Sequence, residues 1–140
     1  MIQYTFIVPG NPHAKHRPRF SRYSNHAYTD ASDHSYERYV KECFRYKYPL
    51  AEPIETAVSV CVVAYFKIPV STVKSKRALM ETETYPHTVK PDADNVLKAV
   101  LDGCNGIVWL DDRLVSDVSI QKRYSLKPRT EITITGGHMT

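Results

Sequence analysis

The chain has 140 residues, 42% of them hydrophobic and 24% charged, with a net charge of +4. This length and composition fit one globular domain able to bury roughly two thirds of its unfolded surface, and they exclude a low-complexity chain. No apolar run approaches the roughly 20 residues of a membrane span, and the N-terminus lacks the basic-then-apolar layout of a secretory signal. A cytoplasmic protein is therefore expected.

Residues 2–8, IQYTFIV, are rich in β-branched and aromatic side chains and predict a strand that Pro9 and Gly10 end. Residues 11–30 show no period and predict a long loop, of the length that tends to be functional. Tyr36, Tyr39, Val40, Cys43 and Phe44 recur at helical spacing and predict a helix over 31–47, capped by Asp30 or Ser32 and stopped at Pro49. The strongest strand signal covers 55–67, closed by Pro69. The polar stretch 71–84 reads as a short helix with Ser71 as its cap. Residues 94–106 predict a helix with Asp94 as N-cap, an apolar face of Val96, Leu97, Val100 and Leu101, and a left-handed C-terminal cap at Asn105-Gly106. Residues 114–126 and 129–136 alternate like paired strands. The order β-loop-α-β-α-α-β-β predicts an α+β (mixed α/β) single domain over 1–140.

Cys43, Cys61 and Cys104 have neither the even count nor the spacing of a disulfide or zinc framework and read as small apolar residues. The carboxylates are more informative. Asp92 and Asp94 in KPDADN sit two residues apart at a helix start, where they can point oxygen ligands into one small volume. Hard cations such as magnesium take such ligands, and a site of this kind can activate water in phosphodiester hydrolysis. The same pair also fits a plain helix cap with solvent-facing ion pairs. Asp94, Lys98 and Asp102 fall on one helix face, so the lysine can pair with the carboxylates or stabilise charge on a phosphate. Asp111 and Asp112 read as a turn, or as further ligands if the segment after the helix returns them beside Asp92 and Asp94.

Basic residues flank this acidic stretch. HAKHRPRFSRY packs Lys15, Arg17, Arg19 and Arg22 among histidines and aromatics, a composition suited to phosphates and exposed bases and also to a solvated loop. Lys74, Lys76 and Arg77 make a second patch. Cations here would offset the repulsion between a carboxylate cluster and a DNA backbone.

Three stretches, GNPHAKHRPRF, AYTDASDHSYERYV and KPDADNVLKAVLDGCNGIVWLDDRLVSD, give the chain a resemblance to the RusA family of Holliday junction resolvases. The last joins the family pattern K-P-D-x-D-N-x-x-K-x-x-x-D to a downstream N-G and D-D-x-x-V. Gly103-Cys104 stands where the family often has Ala-Leu. The resemblance implies a homodimeric, magnesium-dependent endonuclease, with manganese as a possible substitute, that makes paired nicks in four-way junction DNA. It also implies a phage or prophage type and a small mixed-sheet fold. It assigns catalysis and metal binding to Asp92, Asp94 and Asp112, and catalysis to Lys98. Asp111 neighbours the third carboxylate, and Asp102 either orients Lys98 or packs structurally. Two other readings stay open: a less selective nuclease acting on flaps or forks, and a junction-binding protein that does not cleave.

Overall fold

A computed structural model describes residues 1–16, 19–20, 27–28 and 31–137. Strand β1 (Ile2–Pro9) leads into a segment containing a two-residue ladder, β2 (Arg19–Phe20) against β3 (Ala27–Tyr28), inside the stretch expected to be loop alone. Helix α1 (Ala31–Lys47) and strand β4 (Val58–Lys67) follow. Then come helices α2 (Lys74–Glu81) and α3 (Ala93–Cys104), a single 3-10 turn (Asp112–Leu114), and strands β5 (Val115–Ser125) and β6 (Arg129–Gly136). The four long strands form one mixed sheet in the order β1-β6-β4-β5.

β4 is the most apolar strand and takes an interior position, parallel to β5 and antiparallel to β6. Its side chains alternate: Val58, Val60, Val62, Ala64 and Phe66 are buried, whereas Ser59, Cys61 and Lys67 are exposed. The buried side carries the helices. Phe6, Val8, Ile132 and Ile134 join the β4 valines against Val40 and Phe44 of α1 and Val100 and Cys104 of α3. A smaller cluster, Ala64, Phe66, Ile68, Met80, Val96 and Tyr124, seats α2 and the start of α3. The α+β expectation holds, with the helices gathered on one face of the sheet.

β5 and β6 do not pair with each other, contrary to the expectation from their alternation. β4 lies between them, with Lys67 opposite Ser125 and Tyr65 opposite Arg129. The short connection at 126–128 therefore crosses the end of β4. Three residues reach about 10 Å, enough to span two strand spacings of about 4.8 Å. Beside this crossing Arg129 stacks over the Tyr65 ring at 4.1 Å and pairs with Glu83 and Glu131, each at 2.9 Å.

Two caps also differ. α2 starts after Val73, so Ser71 lies outside it. For α1 the helix begins at Ala31, which leaves Ser32 inside it, and Asp30 lies outside the described residues.

Candidate functional site

α3 presents the acidic motif. Its N-cap is Asp92 rather than Asp94, because Ala93, the best helix former, already takes helical geometry. The segment entering the helix is pinned from the sheet: Lys122 Nζ on β5 donates to Val89 O at 2.8 Å and also to Pro91 O. The Lys90–Pro91 peptide is cis. Asp92 spends its backbone carbonyl on Val96 N, and its side chain makes no capping bond. Asp94 Oδ1 accepts from Asn95 N at 2.9 Å. Both aspartates are exposed, and Asp92 borders an open depression of about 370 Å³ with Lys90, Pro91 and Asn95.

Lys98 follows one turn later. Its ammonium, 57% exposed, lies 3.0 Å from Asp102 Oδ1. Asp102 Oδ2 meets Lys15 Nζ at 2.9 Å, and Lys15 reaches Glu37 Oε1 on α1 at 2.9 Å. Lys15 N donates to Asn95 O, which clips the segment to the first turn of α3. The result is an ion chain, Glu37–Lys15–Asp102–Lys98, linking α1, the entering segment and α3. Exposed pairs contribute little, but Lys15, Glu37 and Asp102 are each four-fifths or more covered. Burial alone would lower the Lys15 pKa; hydrogen bonds to Glu37 and Asp102 outweigh it and raise the value. Lys15, expected to touch phosphate, therefore has its charge turned inward.

Asp111 and Asp112 lie elsewhere. After α3 the chain turns tightly through Gly106, whose φ of 83° suits glycine. Val108 N donates to Cys104 O, Gly106 N donates to Trp109 O, and Trp109 bridges to Ile54. Trp109 is fully buried, and its Nε1 donates to Asp112 Oδ1 at 2.8 Å. Asp111 caps the 3-10 turn by accepting from Arg113 N. This pins the Asp-Asp pair to the C-terminal end of α3. Ten residues of helix, about 15 Å, separate Asp94 from Cys104. The expectation that the pair returns beside Asp92 and Asp94 within one chain is not met, because Trp109 docks where the helix ends.

Of the second basic patch, Lys74 and Lys76 are exposed on α2, with Lys76 Nζ 5.7 Å from the Tyr85 ring centre. Arg77 pairs with Glu81 at 3.6 Å and also donates to Pro69 O. Arg17 and Arg22 lie outside the described residues, and for Arg19 only the backbone in β2 is described. Sequence reasoning missed Lys122 and Glu37, which join the site only through tertiary contacts. It also missed Asp33, whose carboxylate accepts from His13 and His16. The His-x-x-His spacing was the visible signal for that cluster.

Comparisons with known proteins place the chain in a family. The family model described as Endodeoxyribonuclease RusA matches residues 9–135. The chain is also similar to the "Uncharacterized protein YqaN" of Bacillus subtilis (strain 168), with 36% identity over 134 residues, covering 92% of this chain and 93% of that protein. A mixed-sheet domain with an acidic, lysine-flanked helix start is thus matched along nearly its whole length to one class of nuclease. The chain belongs to the RusA endodeoxyribonuclease family. Among the described residues no helix is long and apolar enough to cross a membrane.

Proposed function

We propose that this chain is a magnesium-dependent endodeoxyribonuclease that resolves four-way DNA junctions by paired, symmetric nicks, acting as a homodimer. The observation that carries the reading is the pair of solvent-facing carboxylates, Asp92 and Asp94, at the mouth of α3 with Lys98 one turn beyond. They lie in the stretch covered by the family match. Exposed carboxylate oxygens beside an open depression suit a hard cation that keeps several waters. Magnesium held there would neutralise phosphate charge and supply an activated water. Lys98 stabilises negative charge on the scissile phosphate, and Asp102, itself held by Lys15, fixes the direction of its ammonium. Lys74 and Lys76 contact backbone phosphates from the exposed face of α2.

Asp112 is the third carboxylate of this reading. One cation holds oxygen ligands at about 2.0–2.6 Å, so it cannot draw on both ends of α3 in a single chain. The separation supports a composite site, with Asp92 and Asp94 from one copy and Asp112 from the other. The segment around Asp112 is open: Leu110 is 51% and Val118 is 50% exposed, and residues 116–119 of edge strand β5 are exposed on both faces. This is surface that a second copy would cover. A two-fold dimer offers two identical sites to a junction with approximate two-fold symmetry.

The test is cleavage of a synthetic four-way junction with magnesium, using linear duplex and a fork as controls and Asp94→Asn beside the wild type. The reading predicts symmetric nicks in the junction alone, lost in the variant while binding persists. Equal cutting of all three substrates would instead mark a general nuclease. Tight junction binding without cutting would mark a binding protein.

A further inference from the structure

Two imidazoles and a carboxylate converge on the segment that Lys15 N clips to Asn95 O at the first turn of α3. His13 Nε2 lies 2.6 Å from Asp33 Oδ1, and His16 Nδ1 lies 3.0 Å from that same oxygen. The three ligand atoms all fall within 4.8 Å of one another. Asp33, in the first turn of α1, is 1% exposed. Among the described residues its ion-pair partners are these two histidines, with no lysine or arginine. A buried carboxylate needs a compensating cation, a need that a bound metal ion would meet. Burial alone would raise the Asp33 pKa; bonds from His13 and His16 outweigh it and hold the carboxyl below its ordinary range.

We propose that His13, His16 and Asp33 bind a divalent transition metal of the zinc type, with a donor set that uses none of the acidic residues of α3. Two nitrogens and one oxygen form a donor set that favours zinc, cobalt or nickel over magnesium. Around zinc, with bonds of about 2.0–2.1 Å, tetrahedral ligand atoms stand about 3.3 Å apart. To reach that spacing the triangle opens by less than about 1 Å along its His13–Asp33 edge, and its His13–His16 edge, at most 4.8 Å, closes by up to about 1.5 Å. Asp33 and His13 each have a contact that fixes their orientation. His16 N donates to Asp33 Oδ2, which turns the other oxygen toward the rings. The His13 ring stacks on Tyr36 with centroids 4.9 Å apart. His16 is 47% exposed, which leaves an entry path and room for water in a fourth position. Lys15 sits between the two histidines, so the ion would anchor the segment from which Lys15 reaches Glu37 and Asp102.

Titration of the metal-free protein with cobalt at about pH 7.5, where imidazole is mostly neutral, in excess magnesium, tests the site. Calorimetry gives the stoichiometry and the visible cobalt absorption reports the ligands. One cobalt per chain, displaced by zinc but not by magnesium, is expected. His16→Gln, at a half-exposed position the fold tolerates, weakens cobalt binding about tenfold or more. Asp94→Asn leaves it unchanged. Absence of cobalt absorption in the wild type, or identical isotherms for the wild type and His16→Gln, would overturn the site. So would loss of the signal in Asp94→Asn, which would assign the ion to α3.

Discussion

Lys98 depends on two neighbours that do not touch substrate in this account. Asp102 gives one oxygen to Lys98 and the other to Lys15, and Lys15 is itself held by Glu37. The geometry predicts a graded response. Lys98→Ala lowers kcat by about a hundredfold, the scale expected when a charge-stabilising group at the reacting centre is removed. Asp102→Asn keeps the shape but loses the charge, and lowers kcat by about tenfold while junction affinity measured without metal stays unchanged. Single-turnover cleavage and a binding isotherm on the same samples check both values. If Asp102 served packing alone, the variant would lose urea stability while its folded fraction cut at the wild-type rate.

Helix α3 fits against α1 through a glycine. A Cβ placed on Gly103 would lie 2.7 Å from Val40 Cβ, so the two helices meet closer than any larger residue permits. Gly103→Ala therefore destabilises the fold by about 1–3 kcal/mol. Val40→Ala keeps the Cβ at 2.7 Å but removes the Cγ atoms at 2.9 and 3.1 Å, so the double variant loses less than the sum of the two single variants. Urea unfolding of the two single variants and the double variant measures the coupling, and simple additivity would contradict it. Much of this element was legible in the sequence: the spacing of Val96 and Val100 located the helix, and Asn105-Gly106 marked its end. The alternation of β4 likewise identified a buried strand. Other features depend on docking. Nothing in 114–136 reveals that β4 inserts between β5 and β6. Nothing local reveals that Trp109 holds Asp112 at the far end of α3. The aspartates could be picked out as residue types, but their separation required the fold. Lys15 was read from the charge of its segment, and only the structure shows that charge directed at Asp102.

At the scale of the whole molecule, one buried histidine sets an acid limit on stability. His87 packs on Phe66 with ring centroids 3.9 Å apart, and among the described residues its Nδ1 has no hydrogen-bond partner. Burial, with a smaller contribution from Lys122, pushes its pKa down to about 4. The unfolded chain takes up this proton near pH 6.5. Between those values the unfolded state binds more protons than the folded one, so stability falls as pH drops from about 6.5 to about 4. This group contributes no further loss below that. The drop is about 3 to 4 kcal/mol. His87→Phe keeps an aromatic stack and removes the proton site, so its urea midpoint declines less over that window. Parallel curves for the two proteins would contradict the assignment.

The central claim for the assembly is that one acidic site draws on two chains, and mixing two inactive variants tests it most directly. Asp94→Asn and Asp112→Asn are each inactive as homodimers in this account. In a mixed dimer one composite site carries both substitutions and the other carries neither. The account therefore predicts that mixing restores nicking of a four-way junction at a single site per dimer. If each chain supplied all its own carboxylates, every site in the mixture would carry one substitution. A mixture as inactive as its parents, with mixed dimers shown to form, would contradict the account.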